Sequence, residues 1–123
     1  MSKSKVYIPP EREVIAACRE IAKLLGVPCF RRNVGAHAIG DRYVQYSEPG
    51  MSDLWGWIPS TGRHWECEVK RPGEKPTEAQ YAWLHRCAVL GAHASWVDTS
   101  AEFEDLLKCW MRPDVSKSHE RSF

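Results

Sequence analysis

The stretch that most constrains this chain runs from Gly50 to Lys70, GMSDLWGWIPSTGRHWECEVK. Pro59-Ser60-Thr61-Gly62 interrupts two runs rich in aromatic and apolar residues, which is a hairpin signal. With those four residues as the loop, Ile58 faces Arg63, and counting outward sets Asp53 opposite Glu68. Alternation along the second strand puts Trp65, Cys67 and Val69 on one face and Glu66, Glu68 and Lys70 on the other. Directly opposed residues point the same way, so Asp53 joins the charged face. The hairpin therefore pairs an apolar face suited to a core with an open end that gathers two acids and a lysine.

Two carboxylates within reach repel and raise each other's pKa unless a cation sits between them. Oxygen-only donors with an open side suit Mg²⁺ or Mn²⁺ rather than zinc. Lys70 adds a movable positive charge fit to stabilise an oxyanion or help activate water. The same alternation also describes a half-exposed strand carrying an ordinary Glu–Lys pair. Spacing alone leaves both readings open.

At 123 residues the chain is long enough for one domain, residues 1–123, and not for two. A net charge of +1 rules out a global basic field, so any nucleic-acid surface must come from local clustering. Five cysteines, an odd number without a C-x-x-C pair, read as free thiols in a reducing compartment rather than disulfides or zinc ligands. With no signal-peptide pattern and no long apolar run, the expectation is a cytoplasmic protein with no membrane partner. The histidines show no metal-ligand spacing.

Residues 1–9 read as a loose arm. From Pro10 to Leu25 the apolar positions Val14, Ile15, Cys18, Ile21, Ala22 and Leu25 form a helical stripe, stopped by Gly26. Continued back one turn, the stripe lands on Glu11, not Glu13, although an acid is favoured near a helix N-terminus at either position. Val27–Asn33 reads as a strand, 34–41 as a glycine-containing loop, and Arg42–Tyr46 as a short added strand. After the hairpin, Thr77 and Gln80 form a capping box, with Trp83, Leu84, Cys87 and Ala88 on the inward stripe of the helix that follows. Gln80 opens that stripe, and capping alone accounts for it. His93–Asp98 is a last strand. Thr99 or Ser100 caps a final helix with Phe103, Leu106, Leu107, Trp110 and Met111 inward, and 112–123 reads as a frayed tail.

The order helix, strands, charged hairpin, helix, strand, helix joins a specific set of motifs. These are Glu11 in E-x-x-V, Arg31 and Asn33 ahead of Gly35, Gly50-Met51-Ser52-Asp53, Glu68-Val69-Lys70, Lys70-Arg71-Pro72-Gly73 and Gln80. Together they resemble the VRR-NUC branch of the PD-(D/E)XK nuclease superfamily over roughly Glu11 to Leu107. The resemblance implies an α/β fold with the αβββαβ nuclease core, a mixed central sheet flanked by helices, one added short strand and a C-terminal helix. It implies that Asp53, Glu68 and the Val69 carbonyl hold Mg²⁺ or Mn²⁺, with Glu11 reaching the ion through water. Lys70 would be the catalytic lysine and Gln80 the polar helix residue bordering the site.

The expected activity is metal-dependent hydrolysis of DNA phosphodiesters, with one or two ions equally compatible with three acids. Arg31, Arg32, Asn33, Arg71 and Lys75 are the candidates for DNA backbone contact. A two-fold homodimer acting on branched DNA, the four-way junction first, is the expected working unit. Three alternatives remain: a monomeric flap or nick nuclease, a non-catalytic nucleic-acid-binding module on the same fold, and an interaction protein favoured by six tryptophans.

Overall fold

The computed structural model describes residues 6–32, 36–40, 42–45, 48–112 and 123. Its elements in chain order are α1 (Glu11–Leu25), β1 (Cys29–Arg31), β2 (Ala36–Ile39), β3 (Arg42–Gln45), β4 (Leu54–Trp57), β5 (His64–Val69), α2 (Glu78–Val89), β6 (His93–Val97) and α3 (Ser100–Met111). Four strands make a mixed sheet in the order β1-β4-β5-β6. β1, β4 and β5 are antiparallel neighbours, and β6 runs parallel to β5 after the α2 crossover. This is the α/β core that the sequence predicts, one helix and three sheet strands followed by helix, strand and helix.

The hairpin register is the one obtained by counting from the Pro59–Gly62 loop. Leu54 pairs with Cys67 and Trp57 with His64, and the Ile58 amide donates to the Arg63 carbonyl at 2.9 Å. Trp65, Cys67 and Val69 are fully buried and join Leu54 and Ile58 in the main core. α1 and α3 cover this side, contributing Val14, Ile15, Cys18 and Ala22 from one helix and Phe103, Leu106, Leu107 and Trp110 from the other. The apolar stripe of α1 thus faces inward as its periodicity requires. Gly26, at φ 71°, ends the helix by donating to Ala22 and Lys23 carbonyls, and the Val27 amide also returns to Ala22. Among the described residues of the expected strand Val27–Asn33, Cys29–Arg31 are strand.

α2 lies on the opposite side, over β5 and β6. Its N-terminus has the full capping box, with Thr77 accepting from the Gln80 amide at 3.3 Å and Gln80 Oε1 accepting from the Thr77 amide at 2.9 Å. Thr99 caps α3. On the open edge of β6, the Phe123 amide donates to the Ala94 carbonyl at 3.0 Å.

Two expectations are corrected. Residues 36–39, expected as loop, form β2, which pairs antiparallel with β3 from Ala36↔Gln45 to Ile39↔Arg42. The added strand is therefore half of a second hairpin, a separate two-stranded sheet that packs against no other described element. The overlooked signal was Gly40, whose φ of 61° supplies the left-handed turn that brings the two runs together. Met111 is 36% exposed rather than inward, because Trp110 takes the buried position at the end of α3. Asn33, Tyr46 and all of the 112–123 tail except its two end residues lie outside the described residues.

One packing feature is unforgiving. A Cβ on Gly56 would stand 1.9 Å from the Pro28 carbonyl oxygen and 2.9 Å from Trp65 Cζ2, so β1 reaches β4 only because no side chain is there. Gly56→Ala should lower stability by about 3 kcal/mol, the upper range for overpacking a core, because the obstacle is backbone. Urea denaturation gives the check; a change well below 1 kcal/mol would contradict this packing.

Candidate active site

β5 presents two acids to the α2 side, and the fold treats them oppositely. Glu66 is 1% exposed yet fully supplied with donors. Arg32 forks onto it at 2.7 and 3.1 Å, Ser52 Oγ donates at 2.6 Å, Trp83 Nε1 at 3.0 Å, and His64 Nε2 lies at 2.5 Å. Burial pushes the Glu66 carboxyl up, but hydrogen bonds from Arg32, Ser52 and Trp83 outweigh it, and the net shift is downward. Glu66 is therefore an anion held by its neighbours.

Glu68, 2% exposed, has no such support. Oε1 accepts from Gln80 Nε2 at 3.0 Å and lies 3.8 Å from Lys70 Nζ. Oε2 is buried with no hydrogen-bond partner. Burial, and next the nearby Asp53 carboxylate, raise its pKa to about 9, with Lys70 opposing the rise. Asp53, 7% exposed, accepts from the Val69 amide through Oδ2 at 3.0 Å. Lys70 N bonds across to the Val97 carbonyl at 2.8 Å, so Val69's own amide and carbonyl turn to the β4 side, where Asp53 lies.

Glu11 opens α1 and is half-buried, while Glu13 is exposed and accepts instead from the Tyr7 hydroxyl at 2.8 Å. Burial raises the Glu11 pKa first, the Asp53 charge second, and Lys70 counters both. The register that selected Glu11 over Glu13 thus holds, and Glu11, Asp53, Glu68 and Lys70 feel one another's charge. Gln80 does two things at once: one end of its amide caps α2 and the other fixes Glu68.

Gly50 explains the G-M-S-D turn. Its φ is 88°, and a Cβ there would meet the Ala79 carbonyl oxygen at 2.6 Å. Only glycine lets this turn press against the first turn of α2, which brings Asp53 and Gln80 to the same carboxylate.

The candidate phosphate ligands divide. Arg31, Arg71 and Lys75 are exposed, Arg71 with Glu74 at 3.7 Å. Arg32 is a correction: its side chain is 15% exposed and its guanidinium is engaged by Glu66 and by Ser52 O at 2.8 Å, so it braces the fold instead of meeting solvent. Sequence reading put Glu66 on the charged face without giving it a role. The signal available was Trp83 on the inward stripe of α2, since a buried indole N–H needs an acceptor.

Among the described residues no three His, Cys, Asp or Glu side chains converge closely enough to hold a metal ion by themselves. Two carboxylates and a backbone carbonyl do suit a hard cation that keeps several waters. The buried, unpartnered Glu68 Oε2 beside Asp53 is the observation that fits such an ion, since a cation would relieve both the repulsion and the orphaned oxygen.

Compared with protein families, the chain matches the VRR-NUC domain over residues 11–112. It belongs to the VRR-NUC family. The match makes this a nuclease-type domain and takes in all the candidate site residues, from Glu11 to Gln80. Neither a curated protein nor a solved structure matches the chain. No described helix of this VRR-NUC domain is long and apolar enough to cross a membrane.

The strained carboxylate gives a signed pH prediction. Between the ordinary carboxylate range and about pH 9 the folded chain holds a proton on Glu68 that the unfolded chain has released. Stability of the metal-free protein should therefore fall as pH rises through that interval. Glu68→Gln should flatten the dependence and raise the melting temperature at pH 8 by roughly 4 °C, the shift expected for about 1 kcal/mol in a domain of this size. Thermal melts in chelator across that range provide the measurement, and an unchanged slope in the variant would count against it.

Proposed function

We propose that this VRR-NUC protein is a divalent-metal-dependent DNA endonuclease that hydrolyses phosphodiester bonds. The observation that carries the reading is the unpartnered Glu68 Oε2 next to Asp53, with Lys70 and Gln80 on the other oxygen of the same carboxylate. Asp53, Glu68 and the Val69 carbonyl would hold Mg²⁺ or Mn²⁺, and Glu11 would reach it through water. When bound, the ion supplies Lewis-acid stabilisation of phosphoryl oxygens and lowers the pKa of water.

The chain's own residues then have distinct tasks. Gln80 pins Glu68 through Oε1, which would leave Oε2 available to the ion. The Lys70 ammonium is a compact charge able to stabilise the oxygens as negative charge develops on them, and to assist in activating the attacking water. Arg31, Arg71 and Lys75 would meet backbone phosphates, which position DNA without reading its sequence. Recognition would then rest on DNA shape.

Cutting should require Mg²⁺ or Mn²⁺ and stop in excess chelator. Asp53→Ala and Glu68→Ala should abolish cutting while DNA binding survives, because removing an acid does not weaken attraction for phosphate. Glu11→Gln should slow single-turnover cleavage roughly ten- to a hundredfold, in the range for groups acting around a metal's inner ligands. Glu13→Gln should leave it unchanged. Equal rates in the two variants at saturating metal would remove Glu11 from the site.

The working unit in this reading is a homodimer that prefers branched DNA, with the four-way junction first. Size supports it: one active site cuts one strand, and a domain this small reaches two strands and doubles its phosphate contacts by pairing. Sedimentation at micromolar concentration should show a dimer, and labelled four-way junctions should be cut faster than flaps. A strict monomer that cuts flaps and spares junctions would favour the flap or nick nuclease instead.

A further inference from the structure

The sheet face that carries Asp53 and Glu68 continues away from them along β4 and β1. Trp55 and Trp57 follow Asp53 at alternate positions of the chain, and Phe30 pairs with Trp55 in register, so all three share this side. α2 packs on β5 and β6 and leaves β1 and β4 uncovered here. Phe30 is 42% and Trp57 39% exposed as a result. The rings form a connected surface: Phe30 lies 4.8 Å from Trp55 and 5.5 Å from Trp57, and His64 stacks on Trp55 at 5.8 Å. The Arg32 guanidinium stands over Trp55 at 6.0 Å and over Trp83 at 5.8 Å. Beyond His64 the surface drops into a cleft of about 570 Å³ between the hairpin and α2, with Arg63, Trp83 and Leu90 in its walls.

We infer that this face is a stacking platform for unpaired nucleotides of the DNA strand being cut. The inference rests on the nuclease reading and adds the form of DNA the site takes. Apolar rings gathered on one open face mark a contact site. Two occupants fit aromatic rings, nucleobases and a second protein surface, and the neighbours of these rings decide between them. The core of a protein–protein interface is depleted of charged groups, whereas here the Arg32 guanidinium and the His64 imidazole, both held by the Glu66 carboxylate, lie against the rings themselves. Open aromatic faces are how single strands are bound without sequence preference, since every base has a π-face.

Continuity with the carboxylates points the same way. Trp55 lies two positions beyond Asp53, about 7 Å along the chain direction. A strand whose bases lie on Trp55, Trp57 and Phe30 would run its backbone directly toward Asp53 and Glu68. Bases inside a duplex are stacked on each other and cannot use such a surface; bases at a branch point, a flap or a frayed end can. The domain would thereby select branched DNA through its own sheet.

The test uses the full chain in chelator, so that binding is read without cutting. Fluorescence anisotropy is measured with labelled oligothymidylate and with a blunt duplex, for the wild type, Phe30→Ala, Trp57→Ala and Trp57→Phe. Both sites are surface rings, and thermal melts verify that each variant is folded. Each alanine variant should bind oligothymidylate roughly tenfold more weakly, as for loss of one stacked base. Trp57→Phe should stay near wild type, and blunt-duplex binding should not change. Unaltered oligothymidylate affinity in both alanine variants would overturn the platform while leaving the nuclease reading intact. A dimer converted to monomer by Trp57→Ala would assign the face to a second copy and also overturn it. If the wild type neither binds nor cuts any DNA, the nuclease reading itself fails.

Discussion

The site depends on one strand burying two acids on the same face and neutralising only one of them. Glu66 and Glu68 are two residues apart on β5, both all but inaccessible to water. Glu66 receives a guanidinium fork, a hydroxyl, an indole and an imidazole, and its pKa goes down. Glu68 receives one amide and a lysine at 3.8 Å, faces another carboxylate, and its pKa goes up. The two environments thus push like groups apart, leaving Glu66 a structural anchor and Glu68 a carboxyl with an unsatisfied oxygen. The anchor also holds Asp53. Arg32, while holding Glu66, donates its own amide to the Asp53 carbonyl at 2.7 Å and grips the Ser52 carbonyl, so the segment carrying Asp53 is fixed from both sides. Removing Arg32 would leave a buried charge unmatched and release the aspartate together.

Two helix N-termini add to this arrangement. α1 begins at Glu11, within electrostatic reach of Asp53, and the first turn of α2 supplies Gln80 to Glu68. The positive ends of both helix dipoles therefore lie toward the acids. They ease the burden of clustered negative charge on these carboxyls. Gly50 makes the α2 side of this geometry possible, since any side chain there would collide with the Ala79 backbone.

Most of this was legible in the sequence because the relevant signals are local. Periodicity of two set the faces of β5, the Pro59–Gly62 loop set its register against β4, and periodicity of 3.6 distinguished Glu11 from Glu13. The capping box fixed the start of α2 and hence the height of Gln80. What was not legible required knowing what lies across the sheet. Arg32 reads as a surface arginine until Glu66 is seen opposite, and Glu66 as a solvated acid until α2 is laid over it. The β2–β3 hairpin was missed for a different reason: its strands are only four residues each, too short for a periodicity of two to stand out. Met111 differs from Trp110 only in which neighbour the last turn of α3 turns inward.

The two faces of β5 divide labour in a way that limits what can change independently. Trp65, Cys67 and Val69 lock into α1 and α3, so the apolar face sets stability and pins the backbone positions of Glu66 and Glu68 between them. Because side chains alternate, any slip of β5 by one residue would exchange tryptophan and acids between core and site. The register that fills the core is thus the same register that assembles the carboxylates. A loss on the apolar face can disturb the chemistry without touching it, through the backbone. The reverse does not hold for Glu68: replacing it with its amide should make the metal-free fold more stable, since burial and the neighbouring Asp53 both oppose its charge and Oε2 has no hydrogen-bond partner. A buried carboxyl kept at the expense of stability, on a strand locked into the core, is what separates this site from a solvated strand face.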